Sequence, residues 1–260
     1  MVRDKIYFLS DIHLGAKYID DPRGHEATVV AMLEEFGKDA EQIYLLGDVL
    51  DYWFEYRTVV PRGYIRFFGA LARLVDNGVK ITWLIGNHDI WMFDYLRDEI
   101  GIEVVDGAII KEIAGKRFYL AHGDDLGRLN KKSFRLIRKV FRNRVCQKLY
   151  SAIHPRWTVP FAYRWSSGSR KSHSDSYEKE YMGDKEPAEI FAKEYLSKVD
   201  FEINYFILGH RHIEVERDLS ETCKLIILGE CYKRFSYAVW NGADLQLKHF
   251  DAANTQFNSI

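Results

Sequence analysis

The sequence predicts an α/β protein in which mixed β-sheet is covered by helices on the outside. Three observations carry that prediction. Apolar runs rich in β-branched and aromatic residues recur at Ile6-Tyr7-Phe8-Leu9, Ile43-Tyr44-Leu45-Leu46, Ile81-Thr82-Trp83-Leu84-Ile85, Phe118-Tyr119-Leu120 and Tyr205-Phe206-Ile207-Leu208, and they read as buried strands. Helical spacing fills the intervals between the first three runs, which implies parallel strands joined by helical crossovers. The tail strings strand after strand, with Asn241-Gly242 as a hairpin turn.

Taken in order, strand Lys5–Leu9 precedes a helical pattern over Glu26–Phe36 with Val29, Val30, Leu33 and Phe36 as its apolar positions. Strand Ile43–Leu46 precedes a helix near Tyr64–Val75, which Asn77-Gly78 ends before strand Lys80–Ile85. Ala108–Ile113 and Arg117–Leu120 read as a hairpin around Ala114-Gly115-Lys116. Phe134, Ile137, Phe141, Val145 and Leu149, with Leu136 and Val140 alongside, predict one amphipathic helix. Trp157, Phe161, Tyr163 and Trp165 follow as a second aromatic piece, and Ser166-Ser167-Gly168-Ser169 reads as a flexible joint. Glu186-Pro187 opens a helix to about Leu196. Tyr205–Leu208, Lys224–Leu228, Tyr237–Trp240 and Leu245–Phe250 are the closing strands.

At 260 residues and 47% hydrophobic, the chain is long enough for one large core with an inserted subdomain. It has no stretch of about 18 uncharged apolar residues, so no membrane-spanning helix is expected. Arg3, Asp4 and Lys5 run straight into a strand, unlike a signal peptide. Cys146, Cys223 and Cys231 form an odd set without a C-x-x-C pair, as expected of reduced thiols in the cytosol. The net charge of -1 hides an asymmetry. Between Leu126 and Ser174 there are 13 Lys and Arg and no Asp or Glu, leaving 24 of the 37 basic residues against all 38 acidic ones. We therefore expect a core of residues 1–125 and 175–260, interrupted by a basic helical cap at 126–174.

Each of five apolar runs is followed by polar residues with metal-binding chemistry: Asp11-Ile12-His13, Gly47-Asp48 with Asp51, Gly86-Asn87-His88-Asp89, His122-Gly123-Asp124 and Gly209-His210-Arg211-His212. Singly, each would occur by chance in many proteins. In order, at the carboxyl ends of successive strands, they point into one crevice, where α/β sheets place ligands. Asp11, His13, Asp48, Asn87, His122, His210 and His212 offer imidazole nitrogens, carboxylates and an amide oxygen, a mixture suited to Mn, Fe or Zn rather than calcium or magnesium. Seven ligands exceed one ion and suit two that share a carboxylate, roughly 3.5–4 Å apart. The D-x-H and H-x-H spacings suggest side chains on one face of a strand end, and the glycines suggest sharp turns. Asp89 reads as a turn residue supporting its loop. His25, His154, His173 and His249 stand alone; lone histidines are mostly surface or satisfied core residues, so they receive no role.

The ordered set D-x-H, G-D-x-x-D, G-N-H-D, H-G and G-H-x-H, spanning Asp11 to His212, resembles that of the calcineurin-like metallophosphoesterases. The resemblance implies two mixed sheets packed face to face with flanking helices. It implies one metal on Asp11, His13, Asp48 and His212, and another on Asp48, Asn87, His122 and His210. His88 would contact the phosphoryl oxygen and protonate the leaving group, with Asp51 orienting it. Manganese is the expected ion.

Two features bear on the substrate. The arginine that follows the second aspartate in protein phosphatases is missing after Asp51, and Asp89 stands where they have glutamate. The G-D-x-x-D-Y-W run, the H-G-D-D and the basic insert are similar to the UDP-2,3-diacylglucosamine pyrophosphohydrolases of lipid A biosynthesis. That branch releases UMP and 2,3-diacylglucosamine 1-phosphate. Its well-known members carry arginine in place of His88 and an acidic pair where Arg128 to Lys132 is basic, so contacts in the insert do not transfer. By position and charge, Arg128, Ser167, Arg170 and Lys171 join Asn87 and His88 as candidate substrate contacts. A basic amphipathic helix can also lie on an anionic membrane, with a cytoplasmic enzyme held at the inner leaflet. Against that stands an apolar stripe packed on the body with its charges solvated, although solvated faces normally mix signs. A nuclease with Tyr150, Trp157, Tyr163 and Trp165 stacking single strands is the second function, made less attractive by an apolar stripe that nucleic acid does not need. A metal-free binding module is the third. No protein partner is expected.

Overall fold

The structure, a computed structural model, describes residues 3–126, 132–172 and 180–252; of 132–135, 137 and 165–172 it describes the backbone. Two mixed sheets pack face to face. The first has six strands: β1 (Lys5–Leu9), β2 (Ala40–Leu46), β3 (Lys80–Leu84), β4 (Glu103–Val105), β10 (Ser236–Trp240) and β11 (Leu245–His249), in the order β11-β10-β1-β2-β3-β4. The second has five: β5 (Ile109–Ile113), β6 (Lys116–Ala121), β7 (Tyr205–Leu208), β8 (Glu214–Asp218) and β9 (Lys224–Leu228), in the order β5-β6-β7-β9-β8. β1 to β4 run parallel, as their crossover helices require, and β10–β11 close that sheet antiparallel.

Alternation along β1 sorts its side chains. Ile6 and Phe8 meet Phe118, Leu120, Ile207, Ile226 and Trp240 between the sheets, while Tyr7 and Leu9 face the helices α1 (Pro22–Phe36) and α2 (Ile65–Asp76). The outer face of the second sheet is covered by α7 (Pro187–Leu196), which buries Ala188 and Ala192 against Phe206 and Leu208.

Several boundaries move. α1 starts at Pro22 rather than Glu26, because Asp21 caps it by accepting from the Gly24 N–H at 2.9 Å. The short α3 (Tyr95–Ile100) and β4 leave little periodicity to read, and β8 is an edge strand of sequence Glu-Val-Glu-Arg-Asp whose charge conceals it.

The insert departs furthest from expectation. In place of one amphipathic helix there are two, α4 (Lys132–Arg142) and α5 (Arg144–Ser151), broken where the Asn143 side chain caps the second by accepting from the Val145 and Cys146 N–H groups. The expected flexible joint at Ser166–Ser169 lies inside α6 (Pro155–Ser172). Low helix propensity of Ser and Gly costs only about 1 kcal/mol per residue, which surrounding helix outweighs. The single stripe also divides. Phe141, Tyr150, Val159, Ala162 and Tyr163 pack on the body. Leu136, Val140, Val145, Leu149, Ile153, Trp157 and Phe161 are exposed. Tyr150 and Tyr163 are therefore half-buried and unsuited to stacking nucleic acid, and the Trp165 side chain lies outside the described residues.

Candidate metal centre

The polar motifs converge where the strands of both sheets end. β1 stops at Leu9, and Asp11 and His13 follow it in left-handed backbone, φ 53° and 51°, so they are not the strand-face pair the spacing suggested. His210 and His212 repeat this device at φ 69° and 51°, and Asp48 has φ 52°. Such conformations cost about 1–3 kcal/mol each and persist where surroundings over-determine them. Here the Asp11 N–H donates to Gly47 O at 3.1 Å, the His13 N–H to Asp48 O at 2.9 Å and the His210 N–H to Asp11 Oδ2 at 2.8 Å.

Gly47, at φ 84°, turns the backbone as expected, whereas Gly86 and Gly209 are needed for close approach. A Cβ on Gly86 would lie 2.2 Å from Asp48 Oδ1, and one on Gly209 would lie 1.9 Å from Ser10 Oγ; neither has positive φ. The loops thus press together until only hydrogen fits between them.

All seven expected ligands meet. Asp11, His13 and His212 bring donor atoms within 4.8 Å of one another, as do Asp48, His122 and His210. Asn87 Oδ1 is 3.1 Å from His122 Nε2, and His122 Nε2 is 3.3 Å from Asp48 Oδ2. Asp48 Oδ2 also lies 3.9 Å from His13 Nε2, so it stands between the two groups.

Outward partners orient the rings. His122 Nδ1 faces Leu46 O at 2.9 Å, which turns Nε2 toward Asp48 and Asn87. Asp51 Oδ1 is 3.5 Å from Nδ1 of both His13 and His88, and Asp51 O is 3.1 Å from His88 Nδ1. Nε2 of each ring is thereby left facing inward, the usual arrangement behind metal-ligating imidazoles. His88 is 14% exposed in its side chain, at the mouth of the crevice.

A cation fits this donor set. Asp11 Oδ2 accepts from the Ser10 hydroxyl and the His210 N–H, but Oδ1 is buried and makes no hydrogen bond among the described residues, with His212 Nε2 3.1 Å away. Burial pushes the Asp11 carboxyl up, and the neighbouring His212 and His13 more than reverse it, holding it far below the carboxylate range. Burial likewise opposes ionisation of Asp48, and His122 and His88 hold it well below its ordinary value. His210 is pushed down to about 3 by burial and by His122 beside it, which leaves its imidazole neutral and available as a ligand.

Four residues that sequence reasoning gave no chemistry brace the site. Asp89 accepts from the N–H groups of Gly86 at 2.8 Å, Val49 at 2.9 Å and Asp48 at 3.3 Å, and from Trp83 Nε1 at 3.2 Å. It ties the G-D and G-N-H loops together, the supporting role its turn position suggested. Arg211, between the two histidines, is buried against Glu186 with Nε–Oε1 at 2.8 Å. Ser10 is the fourth. Its signal, a serine before D-x-H, is too common to read. Of the expected substrate contacts, Asn87 and His88 border the crevice, Arg128 lies outside the described residues, and the Ser167, Arg170 and Lys171 side chains are likewise not described.

The insert is seated beside this crevice. Trp91 Nε1 donates to Phe141 O at 3.0 Å, Tyr150 stacks on Trp91 with centroids 5.5 Å apart, and Arg138 meets Asp125 at 2.6 Å and Asp124 at 3.5 Å. Part of the basic excess therefore clamps the insert to the acidic body.

Two packed mixed sheets with a buried, histidine-rich donor cluster at their strand ends define a metal-dependent phosphoester hydrolase. The family description "calcineurin-like phosphoesterase" matches residues 4–214, and the chain belongs to that family. It is 42% identical over 260 residues to the UDP-2,3-diacylglucosamine hydrolase of Porphyromonas gingivalis, covering 96% of this chain and 99% of that one. A UDP-2,3-diacylglucosamine hydrolase from a Shewanella species is 26% identical, covering 95% of this chain and 98% of its own. Among solved structures, a dimetal phosphatase from Danio rerio superposes with a TM-score of 0.47 at 14% identity over 96% of each chain.

Proposed function

We propose that this protein hydrolyses the diphosphate of UDP-2,3-diacylglucosamine, releasing UMP and 2,3-diacylglucosamine 1-phosphate. The observation that carries this reading is near-full-length similarity at 42% identity to a hydrolase of that name. The site supports it. Asp11, His13, Asp48 and His212 would hold one divalent cation, and Asp48, Asn87, His122 and His210 the other, with Asp48 shared. When bound, such a pair neutralises phosphate charge and lowers the pKa of a water toward about 7. With both ring nitrogens protonated, His88 would donate from Nε2 to a phosphoryl oxygen as charge grows there, while its Nδ1–H donates to the Asp51 backbone oxygen. Manganese is our assignment, with iron or zinc accommodated by the same donors.

The insert suits the lipid half. On α4, α5 and α6 the exposed pairs Leu136–Val140, Val145–Leu149 and Trp157–Phe161 are each four residues apart and so share a helical face. Lys139, Arg144, Lys148, Arg156 and Arg164 are exposed on the same helices. Among the described residues no helix is long and apolar enough to cross a membrane. An enzyme resting on the anionic inner leaflet, apolar row down, fits both facts, since each Lys or Arg near such a surface contributes about 1 kcal/mol. The row is better suited to acyl chains than to a nucleic-acid backbone.

The test is UMP release from UDP-2,3-diacylglucosamine by pure manganese-loaded protein. Intact substrate would reject the reading. His88→Ala should lower kcat by about 10²–10³-fold, the usual loss of one transition-state donor, without changing metal content.

A further inference from the structure

The segment Gly209-His210-Arg211-His212 carries, between its two ligands, a large side chain that no metal needs. Arg211 is 4% exposed, and Glu186, which receives it, is fully buried. Their contact is forked: Nε donates to Oε1 at 2.8 Å and Nη2 to Oε2 at 3.1 Å. Nη2 also donates to Glu180 O at 3.2 Å. Taking both charges out of water is expensive, and such a pair is often no more stabilising than apolar side chains of similar volume. Stability alone is therefore a weak account of it.

Its position gives a stronger one. His210 and His212 flank Arg211, and both stand in left-handed backbone, φ 69° and 51°. A residue with a Cβ rarely adopts that conformation unless its surroundings impose it. Part of the hold comes from the His210 N–H on Asp11 Oδ2 at 2.8 Å and from Tyr232 Oη, 3.4 Å from His212 Nδ1. The rest comes from Arg211 on Glu186 at the start of α7. Glu186 is itself fixed: its N–H donates to Gly183 O at 2.8 Å, and its backbone oxygen accepts from the Ile190 N–H at 3.0 Å. A planar fork on an anchored carboxylate sets both the place and the rotation of the loop.

We propose that Arg211 and Glu186 form a positioning pair that places His210 and His212 together and so registers the two cation sites against each other. The inference rests on the two-cation reading above, in which His210 serves one ion and His212 the other. Releasing this loop displaces a ligand of each ion. A partner behind a single ligand, such as Leu46 O behind His122, serves one site only.

The test is calorimetric titration of manganese into the EDTA-treated full chain, with thermal melts of the same samples. The unaltered protein should take two ions. Arg211→Met combined with Glu186→Leu removes both charges and keeps most of the volume, so Tm should stay close to that of the unaltered protein. Affinity should nevertheless fall by about 10–100-fold at both sites, the usual cost of losing a partner behind a ligand. Arg211→Lys keeps the charge without the fork and covers the case of a double variant that fails to fold; it should weaken both sites by a smaller factor. Unchanged affinity in either folded variant overturns the inference, and so does a loss confined to one site. Fewer than two ions in the unaltered protein overturns it together with the two-cation assignment. The expected titrations with UDP-2,3-diacylglucosamine left intact would reject the hydrolase reading and keep the pair.

Discussion

The metal crevice and the basic insert both concentrate charge, under opposite conditions. In the crevice, Asp11, His13, Asp48 and His122 are buried, and backbone carbonyls, N–H groups and second carboxylates fix their orientation. On the insert, Lys139, Arg144 and Lys148 are exposed beside an equally exposed row of apolar side chains. Most buried polar groups of the crevice have partners that are themselves held, and Asp11 Oδ1, which lacks a hydrogen bond among the described residues, is the one left for a cation. The insert has such partners along its inner side, where it meets Trp91, Asp106 and Asp125 and where Tyr150, Thr158 and Tyr163 meet Tyr52, Tyr56 and Tyr64, while its exposed apolar row sits apart from them. The difference is one between side chains held on all sides and side chains held on one side only.

The comparison makes unequal demands on substitution. Asp48→Ala, in the crevice, should reduce UMP release by more than about 100-fold, because even residues behind a metal ligand cost about 10–100-fold. Plasma mass spectrometry should find bound metal lost with it; full activity would break the assignment of Asp48 as the shared ligand. Asp89→Asn keeps the shape but sets an NH2 in place of one carboxylate oxygen, against two of the four donors. Metal titration should show affinity weakened by about 10–100-fold, against no change if Asp89 is only a turn residue.

On the insert, Leu149→Asp with Trp157→Asp alters side chains that are 66% and 69% exposed. Flotation with anionic vesicles should show binding lowered at least about tenfold, since burying each such side chain is worth about 1.5–3 kcal/mol. Stability should stay within about 0.5 kcal/mol, as for other exposed positions. A large fall in Tm would mean the row packs on protein after all.

The smallest effect concerns protons. Burial pushes His122 down, but Asp48 beside it prevails and raises the imidazole well above 6.5. A raised histidine contributes stability that is full below the unfolded value and is lost as pH rises through the folded one. EDTA-treated protein should therefore lose a few degrees of Tm as pH is raised above about 6.5. Metal-loaded protein should not, because the ligand is then deprotonated throughout. Thermal melts of both forms across that range decide it.

Much of the site was legible in the sequence because the donors follow apolar runs whose β-branched residues mark the strands, and strand ends converge by topology. Asp11, His13, Asp48, Asn87, His122, His210 and His212 are brought together as their motifs suggested. The brace at Asp89 was legible only as a turn, since two of its donors, Asp48 and Val49, lie 41 and 40 residues away. Arg211 was passed over for the same reason: its partner, Glu186, lies 25 residues away.

By itself, then, the sequence determined which elements form and which residue types carry the chemistry, because strand and helix periodicity and ligand identity are local properties. Tertiary structure alone decided which apolar residues of the insert face inward, which nitrogen of each ring is left bare, and where glycine's missing side chain lets two loops touch. Those depend on neighbours distant along the chain, and no spacing within one segment encodes them.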